Sequence, residues 1–257
     1  SWITNCRFRY NGIIGGINVG VAGGAKLSKP SNLIFCYDAA NPKSYVGSGT
    51  TVYDVIQQVS ATITNGASFS TNNAGYLNFD GSNDYLAVGD TPLVDNLTGD
   101  ATWEVLFKSD VHNVRCNVYN KSYHSTGTIT NETSGSMTLY YGNGADASTN
   151  YYLGTGAGTG HFSDDNTWHH YTVVRDFTNT QNRHYKNGVL KATTTGFTDT
   201  NSQTITAAEA ATHNITIGKG YAGHFNGQIA FVKIYDTALT NAEVAQSFNN
   251  IRGRVGL

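Results

Sequence analysis

His224-Phe-Asn-Gly-Gln-Ile-Ala-Phe-Val-Lys-Ile-Tyr-Asp-Thr-Ala-Leu-Thr-Asn-Ala-Glu-Val-Ala-Gln-Ser-Phe-Asn-Asn250 reads as a long strand, a tight turn and one short amphipathic helix. Side chains alternate faces along a strand. Ala230, Val232 and Ile234 are therefore expected on one side, and Ile229, Phe231, Lys233 and Tyr235 on the other. Both sets are mostly apolar, which predicts a strand inside a sandwich. The helix announces its start. Thr240 is placed to cap it, and Glu243, three residues on, completes a capping box. Val244 and Phe248 then share one helix face.

The residues Gly227, Ile229, Val232, Ile234, Tyr235, Ala238, Leu239, Thr240, Glu243 and Val244 form the pattern G-x-I-x-x-V-x-I-Y-x-x-A-L-T-x-x-E-V. It closely resembles the end of laminin-G-like, concanavalin A-like jelly-roll domains. The resemblance implies an antiparallel β-sandwich, often binding carbohydrate or calcium. Near the other end, Leu33 and Tyr37-Asp-Ala-Ala-Asn-Pro-Lys-Ser-Tyr45 resemble such domains in structural proteins of tailed bacteriophages, especially those of marine bacteria. Phe79-Asp-Gly81 followed by Asn83-Asp-Tyr85 fits the same pattern. The resemblance runs from about Leu33 to Leu257, with its specific parts at the two ends.

Composition agrees with an all-β chain. The 257 residues suffice for one large β-domain that needs no disulfide staples. Charged residues make up 13% of the chain, against roughly 25% in ordinary soluble proteins. Such a surface suits a protein covered by neighbours, or an extracellular one. A net charge of −2 argues against a nucleic-acid partner. No apolar run approaches the ~20 residues of a membrane span. The cysteines, Cys6, Cys36 and Cys116, are odd in number and well separated, which excludes a complete disulfide framework and a zinc cluster. Cys36 sits in Leu33-Ile-Phe-Cys-Tyr37 and reads as a buried thiol.

Residues 1–30 differ from the rest. Gly12 to Ala25 alternates glycines with Ile13, Ile14, Ile17, Val19 and Val21. Glycine raises the cost of ordering, whereas Ile and Val favour strands. This reads as a docking arm that orders by adding a strand to a neighbour. Residues 31–257 are the jelly-roll domain. Within it Tyr76–Val88 reads as a hairpin around Asp80-Gly81. Ala101–Lys108 sets Trp103, Val105 and Phe107 against Thr102, Glu104 and Leu106, a central-strand pattern. Arg115–Tyr123, Met137–Gly142 and Thr167–Asp176 read as further strands. Arg183–Ala192 reads as a hairpin with a type I′ turn at Asn187-Gly188. Strands at short spacing with almost no helix indicate a sandwich or jelly roll.

No enzyme signature is found. The resemblance implies that sandwich glucanases carry E-x-D-x-x-E on one strand, where paired carboxylates act as nucleophile and acid. Here Glu104 stands alone among apolar residues. Gly154 to Gly160 is glycine-rich but lacks the spacing and the lysine of a phosphate loop. His169 and His170 are adjacent on a strand, so they face opposite sides and cannot share a metal; one is expected in the core and one exposed. Calcium needs several oxygens on a loop, which Asp80, Asn83 and Asp84 offer, although such residues also make ordinary turns. Ala230 stands where many family members carry an acid. For glycans, Tyr140, Tyr151, His161 and Trp168 surround a Gly/Asn loop, and exposed aromatics are what sugars stack on.

The sequence therefore predicts a non-enzymatic structural protein of a phage virion, displayed on the particle surface as a capsid decoration or as part of a fibre or tail. Its partners would be other virion proteins and further copies of itself, with weak glycan contacts adding up through multivalency. A lectin that recognises receptor glycans is the alternative.

Overall fold

The structure, a computed structural model, describes residues 32–111, 114–122, 126–142, 151–154, 166–195 and 211–257. The arm residues Ile13, Ile14, Ile17, Val19 and Val21 lie outside them. Its strands are β1 (Leu33–Asp38), β2 (Thr51–Tyr53), β3 (Ser60–Thr64), β4 (Ser68–Ser70), β5 (Tyr76–Asp80), β6 (Tyr85–Val88), β7 (Ala101–Ser109), β8 (Cys116–Ser122) and β9 (Gly127–Asn131). They continue as β10 (Met137–Gly142), β11 (Tyr151–Gly154), β12 (Trp168–Asp176), β13 (Gln181–Lys186), β14 (Val189–Thr195), β15 (Thr216–Ile217), β16 (Lys219–Gly220), β17 (Gly223–His224) and β18 (Asn226–Tyr235). A 3-10 turn (Asn72–Ala74), a one-turn helix α1 (Pro92–Asp95) and a longer α2 (Asn241–Val255) complete the described elements.

All strands but β16 and β17, which pair only with each other, form two antiparallel sheets, the expected sandwich. The first runs β14-β13-β12-β7-β18-β5-β4, with β1 also paired to β18. The second runs β11-β10-β9-β8-β15-β6-β3-β2. Between them Trp103, Val105, Phe107, Tyr171 and Val173 meet Leu86, Ile129, Leu139, Tyr141 and Ile217. The first sheet is buried on its other face as well. There α2 covers it, with Ile251 on Leu106, Ala230 and Phe231, and Val244 on Tyr235, Leu239 and Cys36.

Strand β18 departs from simple alternation. A bulge opposite β7, between Ile229 and Phe231, shifts the pattern by one residue. Ile229 therefore joins Val232 and Ile234 in the sandwich core. Ala230 turns to the α2 side beside Phe231. The bulge also divides the strand's partners: Asn226–Ile229 pair with β5, and Phe231–Tyr235 with β1. The amide of Ala39 closes the gap by donating to the carbonyl of Ala230 at 3.0 Å.

Tyr76–Val88 is not a hairpin. Strand β5 belongs to the first sheet and β6 to the second, so Gly81–Asp84 crosses between sheets. Leu77, Phe79, Leu86 and Val88 all enter the same core, and this alternation looks identical for a hairpin and for a crossing link. Asn187-Gly188 does form the β13–β14 turn, with φ of 53° and 75°, as type I′ requires.

Helix α2 begins with the expected capping box. The Thr240 hydroxyl accepts from the Glu243 amide at 3.3 Å, and the Glu243 carboxylate accepts from the Thr240 amide at 2.8 Å. The helix is longer than expected, 15 residues, and ends at Gly256 with φ of 74°, a left-handed cap. A buried ion pair and a buried carboxylate's hydrogen bond fix it to the sheet. Arg254 donates to Asp38 at 2.8 Å and to the carbonyls of Asn73 and Gly75. Glu104 lies fully buried beneath the helix, 3.6 Å from Lys233, and accepts from Ser247 at 2.9 Å and Tyr235 at 3.1 Å. His170 Nε2 is 3.9 Å from the same carboxylate. Burial drives the Glu104 carboxyl up, but Lys233, His170 and Ser247 outweigh it and hold it down at about 2. Both histidines are thus buried, where one was expected exposed; His170 stacks on Phe248 at 6.0 Å between ring centres. His169 faces the other way, 5.9 Å from Phe107.

Two predictions follow from these buried charges. Arg254→Ala strands the Asp38 carboxylate in a dry site and should cost about 3–5 kcal/mol in urea denaturation, whereas Asp38→Asn with Arg254→Met should recover most of the loss. Acid should act in two windows. His184, buried with Nδ1 2.7 Å from the Tyr171 hydroxyl, is lowered by burial from 6.5 to about 4. The unfolded chain takes up that proton first, so stability should fall as pH drops from 6.5 to 4, by on the order of 3 kcal/mol. His184→Gln should flatten this window. The depressed Glu104 carboxyl contributes stability above pH 4.5 that is lost as pH falls toward 2. Glu104→Gln should remove that second step and leave the first intact.

Candidate functional site

The outer face of the second sheet is polar. Thr128 and Thr130 of β9, Thr138 of β10 and Asn117 of β8 are buried there. The Asn117 amide nitrogen donates to the Thr130 hydroxyl at 2.8 Å, and its carbonyl accepts from the Ala222 amide at 2.7 Å. The second bond pins the β16–β17 hairpin onto the sheet. Gly220 lies so close over Asn117 that any side chain there would overlap it. The result is a short hairpin held flat, with Tyr221 at its tip.

Tyr221 is carried against Tyr140 of β10, ring centres 6.1 Å apart and planes 88° apart. Arg115 joins them. Its guanidinium carbon sits 5.1 Å from the Tyr221 ring centre and 5.8 Å from that of Tyr140. Its Nη2 donates to the Tyr221 hydroxyl at 2.9 Å and the Tyr140 hydroxyl at 3.3 Å. Its Nε donates to Glu132 at 2.9 Å, and the Tyr140 hydroxyl donates to the other Glu132 oxygen at 2.8 Å. Burial and the neighbouring Glu132 carboxylate raise the Tyr140 hydroxyl well above its ordinary value, so it stays a neutral donor. Tyr221 remains 43% exposed, and the Arg115 side chain 40%. An aromatic surface edged by hydroxyl, guanidinium and carboxylate groups is what a sugar ring with its apolar face and hydroxyl rim requires.

The sequence named part of this site. Tyr140 is in it. The Tyr151 backbone lies on the edge strand β11, opposite Gly142 of β10. His161 lies outside the described residues. Trp168 is elsewhere: it sits on the first sheet under α2, edge-on to Tyr76 at 5.5 Å. Nearness in sequence misled here, because β11 and β12 belong to different sheets. Arg115, Glu132 and Tyr221 were not singled out. Gly220-Tyr-Ala-Gly223 did carry a signal, an aromatic held on a turn between two glycines.

Asp80, Asn83 and Asp84 gather on the link between β5 and β6, beside the base of the same hairpin. The Asp80 carboxylate accepts from the amides of Ser82 at 2.8 Å and Asn83 at 3.3 Å, bonds that lower its ordinary value. Asp84 accepts from the Asp80 amide at 3.1 Å. Among the described residues no group of three or more His, Cys, Asp or Glu side chains is placed to hold a metal ion. A second, open cleft of about 580 Å³ lies by the start of α2, lined by Asp100, Asp176 and Arg183. Its carboxylates are engaged internally, Asp100 by Phe177 and Thr178, and Asp176 by Asn179 and Gln181.

Residues 80–245 match the family model of the concanavalin A-like lectin/glucanases superfamily, Laminin_G_3. No curated protein matches the sequence. Solved structures do. A structure concerning botulinum neurotoxin type C, whose cell entry is described as dependent upon interaction with two ganglioside molecules, aligns with a TM-score of 0.62 at 15% identity, over 86% of this chain and 51% of that one. Domain 4 of AbnA, an extracellular arabinanase from Geobacillus stearothermophilus, in complex with arabinotriose, aligns with a TM-score of 0.58 at 17% identity, over 84% of this chain and 97% of that one. A Trypanosoma rangeli sialidase mutant aligns with a TM-score of 0.56 at 14% identity, over 86% of this chain and 33% of that one. The chain thus spans about half the length of the neurotoxin chains it matches. At these identities the likeness shows the fold alone.

The hairpin gives the site a handle independent of any ligand. Gly220→Ala should lift it from Asn117, at a cost of roughly 1–3 kcal/mol. The Ala222 amide should then exchange with deuterium much faster, while amides of β7 and β18 keep their protection relative to global stability.

Proposed function

The chain belongs to the concanavalin A-like lectin/glucanases superfamily, and from that premise we propose that it is a non-catalytic carbohydrate-binding domain. The observation that carries this reading is the cluster of Arg115, Glu132, Tyr140 and Tyr221 on the second sheet, in which Tyr221 and Arg115 stay partly exposed over a buried Tyr140. Its neighbours in fold include a domain solved in complex with arabinotriose and a toxin whose cell entry depends on gangliosides. The lectin alternative therefore becomes the main reading.

Absence of turnover is part of the proposal. Sugar hydrolysis needs two carboxyls flanking the bond, about 5–9.5 Å apart, one of them kept protonated. Glu132 is tied to Arg115 and Tyr140. Glu104 lies under α2, fully buried and held at about 2, with Lys233 beside it. A carboxylate in that state is a structural counter-ion. Display on a particle surface rests on the sequence resemblance, the low charge and residues 1–30; none of the matched structures named above is a virion component. Shallow sites of this kind bind weakly one at a time, and multivalent display would raise their avidity.

Tyr221→Ala should reduce binding on a glycan array at least about tenfold, a loss of about 1.4 kcal/mol, while the melting temperature stays within a few degrees. The purified protein should release no reducing ends from any polysaccharide it binds; steady release that is lost in Glu132→Gln would overturn the non-catalytic reading. Deleting residues 1–30 should leave glycan binding unchanged but abolish incorporation into particles, and particles that retain the shortened protein would exclude the docking arm.

A further inference from the structure

We infer, building on the carbohydrate-binding reading, that the site selects neutral sugars and disfavours those bearing a carboxylate. The evidence is how Arg115 is spent. A guanidinium grips a carboxylate with two adjacent nitrogens, a planar fork that matches its two oxygens. In Arg115, Nε is committed to Glu132 and Nη2 to the hydroxyls of Tyr221 and Tyr140. Nη1 alone has no hydrogen-bond partner among the described residues. Every two-nitrogen edge of the guanidinium therefore contains at least one engaged nitrogen. What remains is a single nitrogen, Nη1, whose two N–H groups suit neutral sugar hydroxyls.

Charge points the same way. The Arg115–Glu132 pair is neutral as a unit, and the Glu132 side chain is itself 20% exposed. An incoming sugar carboxylate would have to displace Glu132 from Arg115 or sit beside it, and like charges at close range repel. The hairpin's own lysine, Lys219, lies at its base, with Nζ 4.2 Å from the centre of the Tyr85 ring. Among the described residues, the other side chains joined to the cluster by the hydrogen bonds above are neutral hydroxyls or amides: Tyr140, Tyr221, Thr130 and Asn117. Tyr221 offers an aromatic surface, and Glu132 and Nη1 offer acceptor and donor groups at its rim.

The test uses the whole protein with paired probes: a neutral oligosaccharide such as arabinotriose or lactose, and the sialylated or uronic-acid counterpart. Titration calorimetry and a glycan array should show the neutral member binding at least about tenfold more tightly. Tyr221→Ala should abolish that binding, which locates it at this site. Glu132→Gln is the decisive variant. It frees the guanidinium and removes the repelling charge, so affinity for the carboxylate-bearing sugar should rise severalfold while melting stays close to wild type. Should Glu132→Gln melt early, Tyr140→Phe with wild-type Glu132 gives a second readout, a loss for the neutral sugar without a gain for the charged one. Wild-type protein that prefers the charged sugar, or neutral binding that survives Tyr221→Ala, would overturn the inference while leaving a carbohydrate-binding domain in place. Failure to bind any member of either series would overturn both.

Discussion

Strands β7, β12 and β18 carry apolar side chains on both faces, and the second sheet can cover only one. That leaves Leu106, Ala230 and Phe231 needing a second cover, which α2 supplies. The helix is therefore part of the domain's core. Its place is fixed by polar contacts at two levels. Near its end Arg254 reaches Asp38, a residue 216 positions earlier. Midway, Ser247 reaches Glu104 of the central strand. Each buried charge costs solvation, and each is satisfied only when the helix lies in one register. Apolar burial says that something must cover the sheet; the Arg254–Asp38 pair and the Ser247–Glu104 hydrogen bond specify which face of α2 does so. The two most specific stretches of sequence, around Asp38 and around α2, are thus the two ends of one contact.

The candidate site is built on the opposite sheet and by a different principle. Its residues come from β8, from the end of β9, from β10 and from the β16–β17 hairpin. None of them is held by apolar packing alone. Asn117 ties hairpin to sheet, and Arg115 ties Tyr140, Tyr221 and Glu132 into one unit. A platform fixed before a ligand arrives loses little entropy on binding, which matters for shallow sites where each contact is weak. The sheet beneath supplies rigidity, and the hairpin supplies the variable chemistry.

Much of the fold was legible because it follows from local periodicity. Two-residue alternation marked β7, Asn187-Gly188 marked a turn, and Thr240 with Glu243 marked the start of α2. Periodicity fails where an element changes sheet or phase. The bulge at Ala230 put both Ile229 and Ala230 on the faces opposite to those alternation assigns, and no local pattern distinguishes the Gly81–Asp84 crossing from a hairpin. His170 is buried rather than exposed because the cover over it lies far along the chain, at Phe248. The site was legible only in part for the same reason. Tyr140 stands out as half of a tyrosine pair, but its partner Tyr221 comes from far along the chain. Trp168 lies near it in sequence yet on the other sheet.

The same sandwich serves lectins and glucanases, so fold alone decides nothing about chemistry. What separates the two uses is where carboxylates lie and what they face. In this chain Glu104, one of several buried acids of the first sheet, faces a lysine under a helix and is held ionised. Such a group has neither an exposed substrate nor a proton to give. The accessible acid of the second sheet, Glu132, already accepts from a guanidinium and a tyrosine hydroxyl. With Glu132 serving as a partner to protein groups, what its cluster presents at the surface is stacking and hydrogen bonding. Recognition without turnover, as proposed above, therefore rests on how these two acids are occupied, a stronger ground than the want of a sequence motif.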